Sequence, residues 1–332
     1  MSNDNLKNLL KEYEIKKLHA EQVADKRVEE LYNKNPCLAE INTEIANLGI
    51  SVSKELLKNN NPKLVEDLRN KILELKNQKL EILKSLNLDE SYLLPKYECS
   101  ICNDTGYIIN NNKSEMCSCL KQKLINIQYN KSNINKLDYE NFKNFDENMY
   151  SDEINEEKYH SSISPRKNIL VIKKIVDNFI KNFDNPKGKN LLFTGSPGLG
   201  KTFLSNCIAK ELIDAGKIVL YQTAPAMLDN IVDCKFGKNN VSKEFIENIF
   251  EADLLIIDDL GTETINNIKF TELFNVINTR ILDNKKTIIS TNLSIQNLFS
   301  IYDERIVSRI VGYYDICKFF GDDIRFKIRN IK

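Results

Sequence analysis

Two patterns of apolar residues divide the chain. Over residues 1–95, Leu6, Leu9, Leu10 and Tyr13 stand at i, i+3, i+4 and i+7, the spacing of one face of an amphipathic helix. A second helix is expected from Asn61-Pro62, an N-cap followed by proline at the first helical position. It carries Leu68, Ile72, Leu75, Ile82 and Leu86 in near-heptad positions, with Lys79 interrupting the seam. A helical bundle packed on itself and a hairpin offering one face to a partner both satisfy this pattern. From Asn190 the period changes: LLFTG, IVLYQ, LLIIDD, TIISTN and DICKFF alternate with helical segments, as five buried strands of a parallel α/β sheet do. Residues 146–167 are polar and acidic, without a sustained apolar period and with a Ser-Pro stop, and read as a linker or a long loop.

Composition narrows this picture. With 332 residues, 42% of them apolar, the chain has material for more than one domain. Lysine plus arginine (47) equals aspartate plus glutamate (47), so no global field draws the protein to nucleic acid, and any DNA contact must be a local patch. No apolar run approaches the roughly 18 residues of a membrane span. The start, MSNDNLKNLLKEYE, lacks the basic-then-apolar order of a secretory signal, so a cytoplasmic protein without membrane contact is expected. Of eight cysteines, Cys37, Cys207, Cys234 and Cys317 are scattered, whereas Cys99, Cys102, Cys117 and Cys119 cluster. In a reducing compartment such a cluster reads as a metal site.

The segment Gly195, Ser196, Pro197, Gly198, Leu199, Gly200, Lys201, Thr202, followed by Phe203, fits G-x4-G-K-[ST]. Its glycines let backbone N–H groups curl round phosphate oxygens, and the helix that follows points its positive end at them. Lys201 would reach the β and γ phosphates of ATP, and the Thr202 hydroxyl would hold Mg2+. Strand-like residues 191–193 precede the loop and FLSNCIAKELI follows with helical spacing up to Gly216, a context that a mere glycine-rich turn does not require.

In Leu254-Leu-Ile-Ile-Asp258-Asp259 a buried strand ends in two carboxylates at the sheet edge where α/β ligands bind, a Walker B signature. Asp258 would organise Mg2+ through its water shell, and Asp259, with Glu263 as the alternative, would polarise the attacking water. Asn292 ends the strand at 287–291; it is either a sensor of the γ-phosphate or a loop cap. Arg305 and Arg309 share one helix face, either as a solvated pair or with one of them, Arg309 by preference, neutralising charge in a neighbouring subunit's site.

Cys99-x2-Cys102-x14-Cys117-x-Cys119 supplies four soft ligands, and Gly106 lets the chain turn between the pairs. Tetrahedral Zn2+ is the occupant such a set takes; reduced, unliganded cysteines are the alternative. The C-x-C half departs from the common C-x2-C knuckle. For single-stranded DNA, Lys235, Phe236 and Lys238 offer cations and a stacking ring, or else an ordinary surface loop with a packed phenylalanine. Neither His19 nor His160 stands in a catalytic constellation.

Together GSPGLGKTFLSNCIAKEL, LLIIDDLGTE, TIISTNLS, YDERIVSRI and FFGDDIR resemble the DnaC/DnaI/IstB branch of the AAA+ ATPases over roughly residues 140–330. The resemblance implies an α/β fold: a P-loop core of five parallel strands in the order 5-1-4-3-2. It also implies a sensor role for Asn292, arginine-finger candidates in Arg305 and Arg309, and a sensor arginine at Arg325. With the fifth strand expected close to Lys332, no separate helical lid is expected after the core. The expected division is a helical region at 1–95, a zinc-binding module at 96–135, and linker plus ATPase domain at 136–332. In loaders of this branch the N-terminal region grips the replicative hexameric helicase while the core binds ATP and single-stranded DNA. The function implied is therefore an ATP-hydrolysing helicase loader of the primosome, a homo-oligomer when active. An IstB-like transposition helper and an adaptor with little turnover are the competing readings; intact Lys201, Thr202, Asp258 and Asn292 weigh against the latter.

Overall fold

The structure is a computed structural model that describes residues 3–58, 62–129, 134–237, 243–264 and 266–326. The chain divides into two compact units, one running from Leu6 to Cys117 and the other from Ser118 onward.

The first unit holds three long helices, α1 (Asn3–Lys34), α2 (Pro36–Lys58) and α3 (Pro62–Ser85), where the apolar spacing had indicated two. The missed break is at Asn35-Pro36. Proline has no N–H to continue the ladder, and the Asn35 amide side chain turns back to donate to the Leu31 carbonyl at 3.0 Å. Leu9 and Tyr13 are buried, as their spacing requires, and α3 buries Val65, Leu75 and Leu83. Leu86, assigned to the seam, is exposed. Lys79 interrupts the seam because its ammonium donates to the Asn42 side-chain oxygen (2.7 Å) and the Tyr32 hydroxyl (3.2 Å) of the two preceding helices. The N-cap expected at Asn61 lies outside the described residues. After a 3-10 turn at Glu90–Leu93 comes an antiparallel hairpin, β1 (Tyr107–Asn110) and β2 (Lys113–Met116). Asn111 and Asn112, both at positive φ (47° and 60°), form its two-residue turn.

The second unit opens with α4 (Ser118–Tyr129) and α5 (Ile134–Leu137). It continues with α6 (Glu156–Tyr159), α7 (Pro165–Lys181), β3 (Asn190–Thr194), α8 (Lys201–Asp214), β4 (Val219–Thr223), α9 (Ala224–Lys235) and α10 (Lys243–Glu251). β5 (Leu254–Leu260), α11 (Asn267–Leu282), β6 (Lys286–Thr291), α12 (Ile295–Ile301), α13 (Glu304–Tyr313) and β7 (Tyr314–Lys318) complete it. The five strands β3–β7 are those read from the apolar runs. All pairs are parallel, in the order β4-β5-β6-β3-β7. Counted from β3, that is the order 5-1-4-3-2.

Strand alternation sorts the side chains onto two faces. Leu192, Leu220, Leu255, Ile257 and Ile289 pack with residues of α9, α11 and α13. Leu191, Phe193, Val219, Tyr221, Leu254, Ile256 and Ile288 pack with Ile169 and Val176 of α7 and Leu204 and Ile208 of α8. A sheet covered on both faces explains why its strands read as continuous apolar runs.

Two expectations about the segments before the sheet are corrected. α4 had been assigned to a zinc module ending at 135, yet it belongs to the sheet unit. Gln122 donates to the Val219 carbonyl (2.9 Å) and accepts from the Val219 N–H (2.7 Å), satisfying backbone groups on the outer side of edge strand β4. The acidic stretch 146–167 is no free linker either. Buried Tyr150 donates its hydroxyl to the Leu199 carbonyl at 3.0 Å. Ser164-Pro165 starts a helix rather than stopping one: the Ser164 hydroxyl caps Lys167 N–H, and proline suits the first helical position.

Candidate nucleotide site and cysteine cluster

The phosphate loop lies between β3 and α8, at the C-terminal edge of the sheet. Gly195 has φ 144°, and a Cβ there would meet the Phe319 carbonyl oxygen at 2.2 Å; Gly200 has φ 88°, and a Cβ would meet the Tyr150 hydroxyl at 2.5 Å. Both positions therefore exclude side chains on backbone and steric grounds. The segment after β7 closes against the loop: Phe319 N–H donates to the Thr194 carbonyl (2.7 Å) and Ile324 N–H to the Gly198 carbonyl (3.0 Å).

Lys201 is buried, and its ammonium donates to the carbonyls of Gly195 (2.6 Å) and Ser196 (2.9 Å) and to the Asn292 side-chain oxygen (2.8 Å). Burial pushes its pKa below the ordinary lysine value, against the pull of Asp258 and Asp259. Asn292 follows β6, which lies between β3 and β5. Its contact with Lys201 sets its side chain beside residues 195–201.

β5 pairs with β6 at Ile257↔Ile289 and again at Leu260↔Thr291, so β5 carries one extra residue and bulges. The bulge separates the roles of the two aspartates. Asp258 stays buried and accepts from the Thr202 hydroxyl at 3.2 Å, whereas Asp259, at φ 55°, is exposed. A hydroxyl and a carboxylate brought together are the hard oxygen donors that Mg2+ takes, so these residues fit that ion. Although the residue is exposed, partial burial of its carboxylate raises the Asp259 pKa above the ordinary value and neighbouring Asp258 adds to it, while Lys201 opposes them. Glu263, the alternative water-orienting group, is buried and accepts from the Gly261 N–H (2.8 Å) and from the Tyr302 hydroxyl; it is occupied in holding the turn.

A cavity of about 450 Å³ joins Lys201, Thr202, Asp259 and Asn292 to Arg325 and Phe203. That volume is within the usual range for a small ligand. A larger one, about 620 Å³, touches Gly195, Ser196 and Asn292 but neither Lys201 nor Thr202. Arg325 is exposed and paired with Asp323, its Nε 2.9 Å from Oδ1. The other two arginines lie apart from this cavity, on α13. Exposed Arg305 pairs with Asp303 and lies over the Phe274 ring, and half-buried Arg309 donates to the Asn278 side-chain oxygen at 2.9 Å. Of the candidate DNA contacts, Lys235 is ion-paired with Glu272 at 2.7 Å and Phe236 is exposed; Lys238 lies outside the described residues.

Two residues at the site escaped the sequence reading. The Tyr221 hydroxyl donates to Asp258 Oδ2 and the Ser290 hydroxyl to Asp258 Oδ1. Their signal was available: counting in twos along β4 and β6 puts both on the same sheet face as Asp258.

The four clustered cysteines have their sulfurs within 4.8 Å of one another, and Cys99 Sγ lies 3.9 Å from Cys117 Sγ. A tetrahedral zinc with Zn–S bonds of about 2.3 Å has edges of about 3.8 Å, so the donor set fits that ion. The β1–β2 hairpin returns Cys117 to the first pair, with its N–H donating to the Gly106 carbonyl at 2.9 Å. Buried Asp104 holds the first knuckle, accepting from the N–H groups of Glu98 and Cys99, both at 2.9 Å. The division into units falls between Cys117 and Cys119, two residues apart, so the cluster is a local feature of residues 99–119.

Comparison with known proteins agrees with the geometry of the second unit. Residues 170–330 match the family described as IstB-like ATP binding protein. The chain is 30% identical over 156 residues to the replicative helicase loader DnaC of Buchnera aphidicola subsp. Baizongia pistaciae, covering 46% of this chain and 61% of that protein. It is 24% identical over 132 residues to DnaC of Escherichia coli K12, covering 40% and 54%. The chain thus spans little more than half the length of these relatives. Among solved structures, the crystal structure of the DnaC helicase loader is 25% identical with a TM-score of 0.42, covering 49% of this chain and 94% of that one. Residues 170–330 are thus similar to IstB-like ATP binding proteins, and they carry the five-stranded parallel sheet.

Proposed function

We propose that this protein is an ATP-hydrolysing loader of a replicative hexameric DNA helicase, acting on single-stranded DNA and assembling as a homo-oligomer when active. The observation that carries the reading is the convergence of Lys201, Thr202, Asp258 and Asn292 at one end of the sheet. Similarity to helicase loaders named DnaC supports the client.

The chemistry follows from the residues. N–H groups of the loop and of the first turn of α8 bind the phosphates of ATP, and Lys201 exchanges its loop carbonyls for β and γ oxygens. Thr202, and Asp258 through water, would hold Mg2+, which would supply positive charge against those oxygens. Asp259 orients a water and takes its proton as the water oxygen bonds to the γ-phosphorus and the bridging P–O bond to ADP breaks. Asn292 and Arg325 stabilise the γ-phosphoryl group, and Arg309 of a neighbouring copy completes the site. Cys99, Cys102, Cys117 and Cys119 would hold Zn2+, which would fix residues 99–119 as a structural knuckle, and the helical unit takes the helicase.

The test has two arms. Lys201→Ala is expected to lower ATP affinity at least about a hundredfold. Unchanged affinity would remove the phosphate site from the reading. Incubating the full chain with purified replicative helicase and ATP should yield a co-eluting complex. A second reading, a transposition helper, is favoured by the IstB-like description of the family. Capture of a transposase, with no complex with the helicase, would replace the first reading by the second.

A further inference from the structure

We infer that Tyr221 and Ser290 are positioning residues for the carboxylate of Asp258, and that they set the Mg2+ concentration at which nucleotide binding becomes metal-assisted. The inference rests on the ATP-site reading above and deepens it.

Tyr221, Asp258 and Ser290 stand on three adjacent strands, β4, β5 and β6. The Tyr221 hydroxyl donates to Oδ2, which also accepts from Thr202 at 3.2 Å. The Ser290 hydroxyl donates to Oδ1, which also accepts from the backbone N–H of Asp259 at 3.1 Å. Each carboxylate oxygen therefore has two donors, and the plane of the group is fixed from three strands and one helix.

The donors have different fates when a cation arrives. Thr202 would offer the metal an oxygen lone pair, and its rotatable O–H is the donor that would turn away to leave Oδ2 open to a water of the cation. Tyr221 and Ser290 have no such second task. They keep their protons on the carboxylate and hold the freed lone pair in direction. Both are buried, with 4% and 1% exposure, so water does not readily replace a deleted hydroxyl. Without them the carboxylate gains rotational freedom that metal binding must then remove. Phenylalanine at 221 would fill the same apolar space between α8 and the sheet, so the role of the hydroxyl can be separated from that of the ring.

The experiment titrates a fluorescent ATP analogue onto the full chain, in EDTA and over a series of Mg2+ concentrations, for wild type, Tyr221→Phe and Ser290→Ala. In EDTA all three should bind alike, within about twofold. The Mg2+ concentration for half-maximal enhancement should rise about tenfold in each variant, the effect of one lost hydrogen bond to a buried charge. The double variant should fall short of the product, because both hydroxyls restrain the same group. Unaltered Mg2+ dependence in both single variants overturns the inference. So does an equal loss of affinity with and without metal, which would mean that the hydroxyls only support packing. If wild type itself bound no nucleotide, the ATP-site reading would fail first; a failure confined to the variants leaves that reading standing.

Discussion

In the unit that begins at Ser118, a five-stranded sheet separates two extensive apolar clusters; between Leu6 and Cys117, among the described residues, one cluster buries Leu31, Leu38 and Leu83 with Tyr32, Ile82, Leu88, Tyr92 and Leu93 packed against them, and no broad sheet organises it. The sheet unit can therefore bury polar groups and satisfy them. Arg280 has no exposed surface, and its guanidinium donates to the carbonyls of Ile249 (2.7 Å) and Lys286 and to the Thr287 hydroxyl (3.1 Å). Burial lowers its pKa to about 10, still high enough to keep the charge. The helical unit leaves large apolar residues exposed, Ile15 at 67% and Leu57 at 87% among them. The difference teaches where each unit's precision comes from. A covered sheet positions Asp258 by packing and hydrogen bonds alone, whereas residues 99–119 rely on a hairpin, one buried aspartate and four convergent thiols.

The largest expected effect is the one that breaks this comparison most directly. Metal analysis of the purified chain should find one zinc, and a strong chelator should remove it. Structural zinc contributes on the order of 10 kcal/mol to small cysteine-ligated folds. Amide protection over residues 99–117 should collapse on chelation, while ATP affinity and protection in β3–β7 stay as they were. A metal-free chain with the knuckle still protected would show that the hairpin and Asp104 suffice.

A smaller effect sharpens the contrast inside the sheet unit. Arg309 is held by Asn278 away from the phosphate cavity of its own chain, so its removal should spare nucleotide affinity. Arg309→Ala should cut hydrolysis by about a thousandfold in assemblies, as loss of a trans arginine does elsewhere. Steady-state rates over a range of protein concentration read this out. Equal hydrolysis by dilute wild type and variant, with loss only on assembly, is the expected pattern. A variant that keeps its rate on assembly removes Arg309 from the site and turns attention to Arg305.

Much of the sheet unit was legible because burial on both faces leaves a strong trace. The apolar runs gave all five strands, and the phosphate loop and the Asp258-Asp259 pair lie where their motifs indicated. Other features were illegible for physical reasons. The break at Asn35-Pro36 lies in a stretch whose helical spacing continues on both sides. Polar residues 146–167 looked solvated, because the few side chains that dock them, Tyr150 above all, are too sparse to make a period. The return of Cys117 to the first cysteine pair depends on a hairpin turn of two asparagines at positive φ, which leaves no trace in the cysteine spacing. Tyr221 and Ser290 had a trace in strand alternation. Their partner, however, is a carboxylate on another strand, and pairing across a sheet requires the strand order.

The smallest effect tests the separation of the two aspartates by the bulge in β5. Burial and the charge of Asp258 raise the Asp259 pKa, so the folded protein binds the Asp259 proton more tightly than the unfolded chain does. Ionised Asp259 is thus a cost to stability above its folded pKa, and that cost is relieved as the pH falls through this raised value. Asp259→Asn should accordingly raise the melting temperature of the nucleotide-free protein at neutral pH, by on the order of 1–2 °C, with the gain shrinking as the buffer is made acidic. Hydrolysis follows the opposite sign. It needs the ionised carboxylate, so the wild-type rate should fall on acidification at a pH above that of an ordinary aspartate, and the variant should lose both the rate and this limb of the profile. A melting temperature lowered by the substitution would show instead that ionised Asp259 is stabilised by partners that outweigh its burial.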